Sequence, residues 1–286
     1  MPNFAIVDTH LHVWNPDSGD IEYAWLEGVP ALNKPFLLDD YNEQCGRVEV
    51  ERMVFLQCDP IPEHNGKEVD WVTSLAQGDP RIQGIVAGGS IEQGEGIRPY
   101  IEELAGNDLV KGVRRLIQSE ELDFCLQPDF VKGVQMLAEY DLSFDICIHH
   151  PQLQNSVELV RQCPNVKFIL DHIGKPGIKD KLLDPWRDGI RELAVLDNTV
   201  CKLSGATTEA DHDNWVKEDI RPYIEHVVEC FGADRCIFGG DWPVATQSTT
   251  YPRWVETLDW ILGGCSEDEL KMIYHDNALD FYRLPA

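Results

Sequence analysis

Positive charge is scarce in this chain. Its 286 residues carry 24 Lys and Arg against 50 Asp and Glu, a net charge of −26. A surface with that balance repels nucleic-acid phosphates and anionic membranes, so neither is an expected partner. Long apolar runs are missing too, and nothing approaches the roughly 18 consecutive apolar residues that a membrane span needs. The opening "MPNFAIVDTH" has no basic start, no extended apolar stretch and no small-residue cleavage site. We therefore expect no secretory signal and a cytoplasmic protein. The nine cysteines form no CxxC pair and follow no regular spacing. That argues against a disulfide framework or a cysteine zinc site and fits reduced thiols in a core. No Gly-rich nucleotide loop follows the first apolar run. Ser90, in "AGGSIEQ", lacks the Gly-x-Ser-x-Gly spacing of a nucleophile elbow. No linker, low-complexity tract or internal repeat divides the chain.

What is present is an alternation. Short apolar runs recur as "FAIVDTHLH", "RMVFLQCD", "IQGIVAGGSI", "VKGVRRLIQ", "SFDICIHH", "VKFILDHIG", "NTVCKLSG" and "RCIFGGDWPV". Each is nearly continuous in apolar residues, as parallel strands covered on both faces are. Helical spacing fills the gaps. Val69, Val72, Leu75 and Ala76 share one face, as do Phe130, Val134, Leu137 and Ala138. Eight strand–helix repeats in this length predict an α/β protein, a (β/α)8 TIM barrel spanning 1–286 as a single domain. An open doubly wound sheet is the runner-up.

Active sites of such barrels lie at the C-terminal ends of the strands, and that is where the unusual polar residues fall. Strand one ends with His10 and His12, which period two places on the same inward face. Strand four ends with Arg114 and Arg115, strand five with His149 and His150, strand six with Asp171 and His172, and strand eight with Asp241. A lone histidine at a strand end is more often structural than a ligand. Convergence of five strand ends on one mouth reverses that balance. His64, His226 and His275 read as structural or surface residues, while His212 could reach the mouth. Trp14, Tyr23 and Trp25 follow strand one, where they can form a packed lid or an aromatic platform for a sugar ring.

The motifs "VDTHLHVW", "VKGVRRLIQ", "FILDHIGKP" and "FGGDWPV", in this order across essentially the whole chain, resemble the amidohydrolase superfamily. More narrowly they resemble its sugar-lactonase branch, with L-fuconolactonase, L-rhamnono-γ-lactonase and the 2-pyrone-4,6-dicarboxylate lactonases. The resemblance implies a distorted barrel of the metal-dependent-hydrolase type. It makes Asp241 the general base and His172 the strand-six histidine. Some mononuclear relatives use a strand-five histidine as a zinc ligand. His10, His12, His150 (or His149 in its place) and Asp241 would then hold one divalent metal, zinc. The dicarboxylate lactonases work without metal, so a metal-free site with no cofactor stays open. Strand four reads "RRLIQ" and offers no bridging ligand, so a two-metal centre is not expected.

The expected reaction is hydrolysis of a sugar-acid lactone by a water that Asp241 activates, with the histidines stabilising the oxyanion. Lactone isomerisation, zinc-dependent decarboxylation and non-catalytic binding of a small molecule are the alternatives, and a homo-oligomer stays open. The expected substrate-binding residues are Arg114, Arg115, Trp14, Trp25, Gln57 and Lys175. Gln57, Gln118 and Ser204 suit hydroxyls. The few cations at strand ends, Arg114 or Arg115, Lys175 and Lys202, suit a neutral lactone better than a dicarboxylated one.

Overall fold

Eight parallel strands alternate with helices in the computed structural model, which describes residues 2–285. The strands are β1 (Ile6–Leu11), β2 (Val50–Leu56), β3 (Ile82–Gly88), β4 (Val110–Leu116), β5 (Ser143–Cys147), β6 (Phe168–Leu170), β7 (Thr199–Leu203) and β8 (Cys236–Phe238). Each pairs in parallel with the next, in sequence order. The larger helices are α1 (Leu38–Cys45), α2 (Asn65–Gly78), α3 (Arg98–Ala105), α4 (Pro128–Met136), α5 (Leu153–Gln162), α6 (Trp186–Ala194), α7 (Lys217–Phe231) and α8 (Tyr251–Ile261). Two short helices follow, α9 (Glu267–Lys271) and α10 (Asn277–Phe281). This is the (β/α)8 barrel that the repeat count predicts.

The helix faces read from spacing are the ones that pack. Val69, Val72, Phe130, Val134 and Leu137 are buried, and Leu75, Ala76 and Ala138 lie partly buried against the same core. The α4 pattern does not run on as one helix through Tyr140. It tightens into a 3-10 turn at Leu137–Tyr140, and Asp141 ends it in the left-handed region at φ 53°. Inside the barrel, Val7, Val54, Val86, Ile169 and Ile237 pack with Tyr282 and Leu284. The chain end thus plugs the barrel from the side opposite the strand mouths. Arg52 Nη1 of β2 holds it there with a 2.7 Å bond to the Pro285 carbonyl.

The barrel closes at the mouth. β8 is only three residues long, and β1 meets the segment beyond it. Asp241 N donates to the His10 carbonyl at 2.8 Å, and His12 N donates to the Trp242 carbonyl at 2.8 Å. Two backbone bonds therefore lock Asp241 to the histidine pair.

The registration of β1 breaks between Asp8 and Leu11. Val7 points into the barrel with the plug residues. Asp8 points out into the helix layer, where its Oδ2 accepts from Tyr41 at 2.8 Å and Tyr251 at 2.9 Å. Its Oδ1 accepts from Gly240 N at 2.8 Å and His10 N at 3.0 Å. After this irregularity His10 and His12 face inward. Strict alternation from Val7 would have turned them outward.

The β2–α2 connection has its own anchor. Glu68 of α2 is fully buried and accepts from Cys58 N, at 3.1 Å to Oε1 and 3.3 Å to Oε2. Burial raises its carboxyl from 4.5 to about 8, against the opposing pull of the Cys58 N–H.

Two outcomes are expected. Asp8→Asn preserves volume but cannot accept four donors, so it should cost about 2–4 kcal/mol of stability in urea unfolding. A loss under about 0.5 kcal/mol would mean that the four bonds do not hold β1. For Glu68, the folded protein keeps a proton that the unfolded chain has released, so stability falls as pH rises between 4.5 and about 8. Glu68→Gln should remove that part of the slope. Parallel slopes for the two proteins between pH 5 and 8 would contradict it.

Candidate active site

A cavity of about 390 Å³ opens at the strand mouths. His12, Trp14, Trp25, Arg114, Arg115, His172, Lys175 and Asp241 all line it. That volume suits a small ring compound.

Asp241 sits at the centre of the polar side. Its Oδ1 lies 3.7 Å from His10 Nε2 and 3.7 Å from His12 Nε2. Burial pushes its carboxyl up to about 7, with Lys175 and Arg114 pulling the other way. Its backbone is in the left-handed region, φ 55°, an uncommon conformation for a non-glycine residue and one concentrated at functional sites.

The three histidines are neutral by environment. Burial, reinforced by Arg114, lowers His12 to about 3. Burial also holds His10 and His172 well below the ordinary value. Partners fix two tautomers. His12 Nδ1 lies 2.8 Å from the Leu56 carbonyl, which can only accept, so Nδ1 carries the proton. Its Nε2 lone pair is left facing Asp241. The His10 Nε2 lies 3.3 Å from Arg114 Nη1, which can only donate. The proton of His10 is therefore on Nδ1, 3.5 Å from Asp171 Oδ1.

The His172 ring lies tilted against that of His10, at 49° with ring centroids 4.3 Å apart. Its Nδ1 is 3.0 Å from Ser204 Oγ. The residues from His172 to Lys175 all have positive φ, between 44° and 74°, and this turns "DHIGK" back over the mouth. Gly205 faces the same ring. A Cβ there would lie 2.3 Å from His172 Nδ1, and its φ is +59°. Only glycine fits that position.

Arg114 is the inward arginine of β4. Its Nη1 donates to Asp171 Oδ2 at 3.1 Å and its Nη2 to the Gln57 carbonyl at 2.6 Å. Arg115 stands on the other side of the strand. It reaches the rim, where Glu92 at 3.2 Å and Glu120 at 2.6 Å hold it. Lys175 donates to Gln118 Oε1. Trp14 is buried, with its Nε1 bonded to the Leu32 and Lys34 carbonyls at 3.1 and 3.0 Å. Trp25 donates to the Cys58 carbonyl at 2.8 Å and meets Trp14 edge-on, centroids 5.5 Å apart. The aromatic wall is thus fixed from behind.

Some expected positions are corrected. Neither His149 nor His150 joins the site. In β5 the inward residues are Asp145 and Cys147, and Cys147 lines the cleft. The chain then turns, and Gln152 pins the turn with bonds to the Ile117 and Glu120 carbonyls at 2.6 and 3.0 Å. His149 is exposed and His150 only half-buried. The side chain of Gln57 is also turned away, because its Oε1 accepts from Asp59 N. Gln57 serves through its carbonyl, as the anchor of Arg114. Tyr23 is buried outside the cleft, and His212 is exposed, bonded to the Thr208 carbonyl at 2.9 Å.

Sequence reading missed Cys58, Asp59, Cys147 and Glu120 on the cleft wall. It also gave no role to Asp145, which bonds Lys202 inside the barrel. The signal was present. A charged residue in the middle of an apolar strand, as in "SFDIC" and "TVCKL", can only face a partner inside the barrel.

Among the described residues, His10, His12 and Asp241 place one donor atom each within 4.8 Å of one another, and so do His10, Asp171 and His172. The first set fits a divalent cation. Both histidines turn their protonated Nδ1 toward a backbone carbonyl or a carboxylate, the outer support that orients metal-binding imidazoles. Both sets share His10, and Arg114 Nη1 stands 3.3 Å from its Nε2, so these donors offer room for one ion at most.

Comparison with known proteins agrees with this geometry. The amidohydrolase family model matches residues 7–284. An L-fucono-1,5-lactonase of Burkholderia multivorans is 27% identical, covering 98% of this chain and 96% of that protein. An L-rhamnono-gamma-lactonase of Scheffersomyces stipitis is 26% identical, covering 99% and 100%. The crystal structure of a Burkholderia multivorans amidohydrolase with bound zinc superposes with a TM-score of 0.88 at 26% identity, covering 99% of this chain and 100% of that one. With a barrel, a His-x-His pair and a strand-eight aspartate at one mouth, the chain belongs to the amidohydrolase family.

Proposed function

We propose that this chain hydrolyses a neutral sugar-acid lactone to the open-chain acid. The observation that carries the reading is the placement of Asp241, a buried carboxyl raised to about 7, against two neutral imidazoles in a ring-sized cleft. The names of the lactonase relatives support it.

The chemistry has three requirements. A water must lose a proton, the carbonyl oxygen must be stabilised as negative charge develops, and the alkoxide must be protonated as it leaves. Asp241 takes the proton from water as general base and returns it to the leaving oxygen. His172 and the positive charge of Arg114 face the same space and stabilise the developing oxyanion. The Trp25 ring, fixed at its Nε1, offers an apolar face to the sugar ring. No covalent intermediate is needed. A single divalent ion, zinc in our reading, would be held by His10, His12 and Asp241 and would supply Lewis-acid polarisation and a more acidic water.

Preference for a neutral substrate follows from the cations. Arg114 is engaged by Asp171 and the Gln57 carbonyl, Arg115 by Glu92 and Glu120, and Lys175 by Gln118. Asp59 and Glu120 add carboxylates to the wall. A dianion would enter a cleft whose clamps are already taken.

Two measurements test the reading. Asp241→Asn should fold normally by circular dichroism and lose ~10²–10⁴-fold in kcat; retention of more than about a tenth of wild-type kcat would remove Asp241 as the base. Second, kcat/KM should be compared for L-fucono-1,5-lactone, L-rhamnono-γ-lactone and 2-pyrone-4,6-dicarboxylate, before and after chelation, with products identified by NMR. A sugar lactone should win by at least about tenfold, roughly 1.4 kcal/mol in transition-state binding. A tenfold preference for the dicarboxylate would overturn the neutral-substrate reading.

A further inference from the structure

Beneath the cleft a chain of buried charges crosses the barrel. Lys202 of β7 is its hub. Its Nζ lies 2.9 Å from Asp145 Oδ2 and 2.8 Å from Asp171 Oδ1, and all three side chains are 0% exposed. Asp145 Oδ2 also accepts from the hydroxyl of Tyr282, in the plug, at 3.1 Å. On the upper side, Asp171 divides its oxygens: Oδ2 takes Arg114 Nη1 at 3.1 Å, and Oδ1 faces His10 Nδ1 at 3.5 Å. Two carboxylates and two cations balance. Lys202 does not line the cleft.

We infer that Lys202 is a positioning residue: by fixing Asp171 from below, it sets the tautomer of His10 and the aim of Arg114 at the reacting atoms. The ammonium is the nearer of the two groups on Asp171 Oδ1, 2.8 Å against 3.5 Å for the imidazole. It therefore fixes the rotation of the carboxylate. That rotation presents Oδ2 to Arg114 and keeps Oδ1 beside Nδ1–H of His10. Arg114 in turn donates to His10 Nε2, so one carboxylate governs both ends of the ring. Without Lys202, Asp145 and Asp171 would share a dry interior with a single guanidinium. Arg114 would be drawn down toward both carboxylates, away from the cleft, and His10 would lose the contact that selects its tautomer. Misplacement of about 1 Å in such groups is worth ~10²-fold in rate. The effect on turnover rests on the lactonase reading; the effect on the His10 ring does not.

The test uses Lys202→Met, which keeps the chain length and removes the charge, and the double variant Asp145→Asn/Lys202→Met, which restores the balance. Lys202→Met should lower kcat about 10²-fold. Its KM should stay within about threefold of wild type, because Trp25, Gln118 and Lys175 are untouched. The double variant should recover kcat to within about tenfold of wild type, a recovery that a merely space-filling lysine would not give. Independently of activity, 15N spectra of the metal-free protein report the ring nitrogens of His10, assigned by loss of the signal in His10→Asn. Wild type and the double variant should show a single Nδ1–H tautomer, and Lys202→Met a mixture. A folded Lys202→Met with kcat within threefold and an unchanged His10 signal overturns the proposal. A double variant no better than the single one does so too, as does failure of both to fold, which would make Lys202 structural. A wild-type protein that hydrolyses no lactone, while its His10 signal still responds to Lys202→Met, would sink the lactonase reading and leave the positioning role standing.

Discussion

The site depends first on how β1 is held. A strand that alternated without interruption from Val7 would present His10 and His12 to the helix layer. Asp8 prevents this by accepting four hydrogen bonds outside the barrel, two from tyrosines on α1 and α8 and two from backbone amides at Gly240 and His10. The Gly240 bond joins β1 to the segment that carries Asp241. The irregularity that turns the histidines inward and the contact that brings Asp241 to them therefore share one carboxylate. A second constraint acts at the same place. A Cβ on Gly239 would lie 2.7 Å from the His10 Cβ, so the close approach of β8 to β1 requires glycine there.

Burial then does two opposite things to the groups so assembled. It drives the imidazoles toward the neutral form and the Asp241 carboxyl toward the protonated one, because a dry interior penalises charge of either sign. Neutral imidazoles with Nδ1 protonated expose an Nε2 lone pair. That is the state needed to receive a cation or a hydrogen bond at the cleft. A carboxyl near 7 exchanges protons readily at neutral pH. The charges that do remain ionised lie beneath, as Asp145, Lys202, Asp171 and Arg114. They persist in low dielectric because each has an opposite partner within about 3 Å. The barrel interior is thus layered: an apolar plug, a compensated ionic layer, and a polar mouth.

The barrel, the strand order and most of the mouth were legible because they are written as periodicity. Parallel strands read as apolar runs, and residues at strand ends read as site candidates. His10, His12, Arg114, His172, Lys175 and Asp241 were found that way. The errors come where periodicity stops. His149 follows the parity of Asp145 and Cys147, so alternation predicts it inward, yet β5 has already ended and Gln152 has taken over the turn. Gln57 sits at a strand end too, but a local bond to the Asp59 amide decides its direction. The irregularity at Asp8 could not be read from spacing, since three of its four donors come from α1, α8 and the segment after β8, more than 30 residues away. Lys202 was seen as a strand-end cation, but its length lets it turn downward and pair inside the barrel instead of at the mouth.

The two departures at strands four and five belong together. Strand five brings Cys147 to the cleft where a further imidazole would complete a larger donor set, and strand four brings a guanidinium 3.3 Å from His10 Nε2. Two unit charges at about 4 Å interact by ~4 kcal/mol at an effective dielectric constant of about 20, and a divalent ion doubles that. Arg114 therefore weakens any cation at the His10, His12 and Asp241 donors, while Asp171 partly offsets the repulsion. A second cation would meet the same guanidinium, whose partner Asp171 is already shared with Lys202 and His10. In the proposed reaction, the residue that would limit the site to one ion is also the one whose charge faces the developing oxyanion. Electrophilic assistance in the proposed reaction would thus be divided between a protein cation and whatever the histidines would hold. With Arg114 fixed by Asp171 and by the Gln57 carbonyl, the protein's share is in place whether or not an ion is bound.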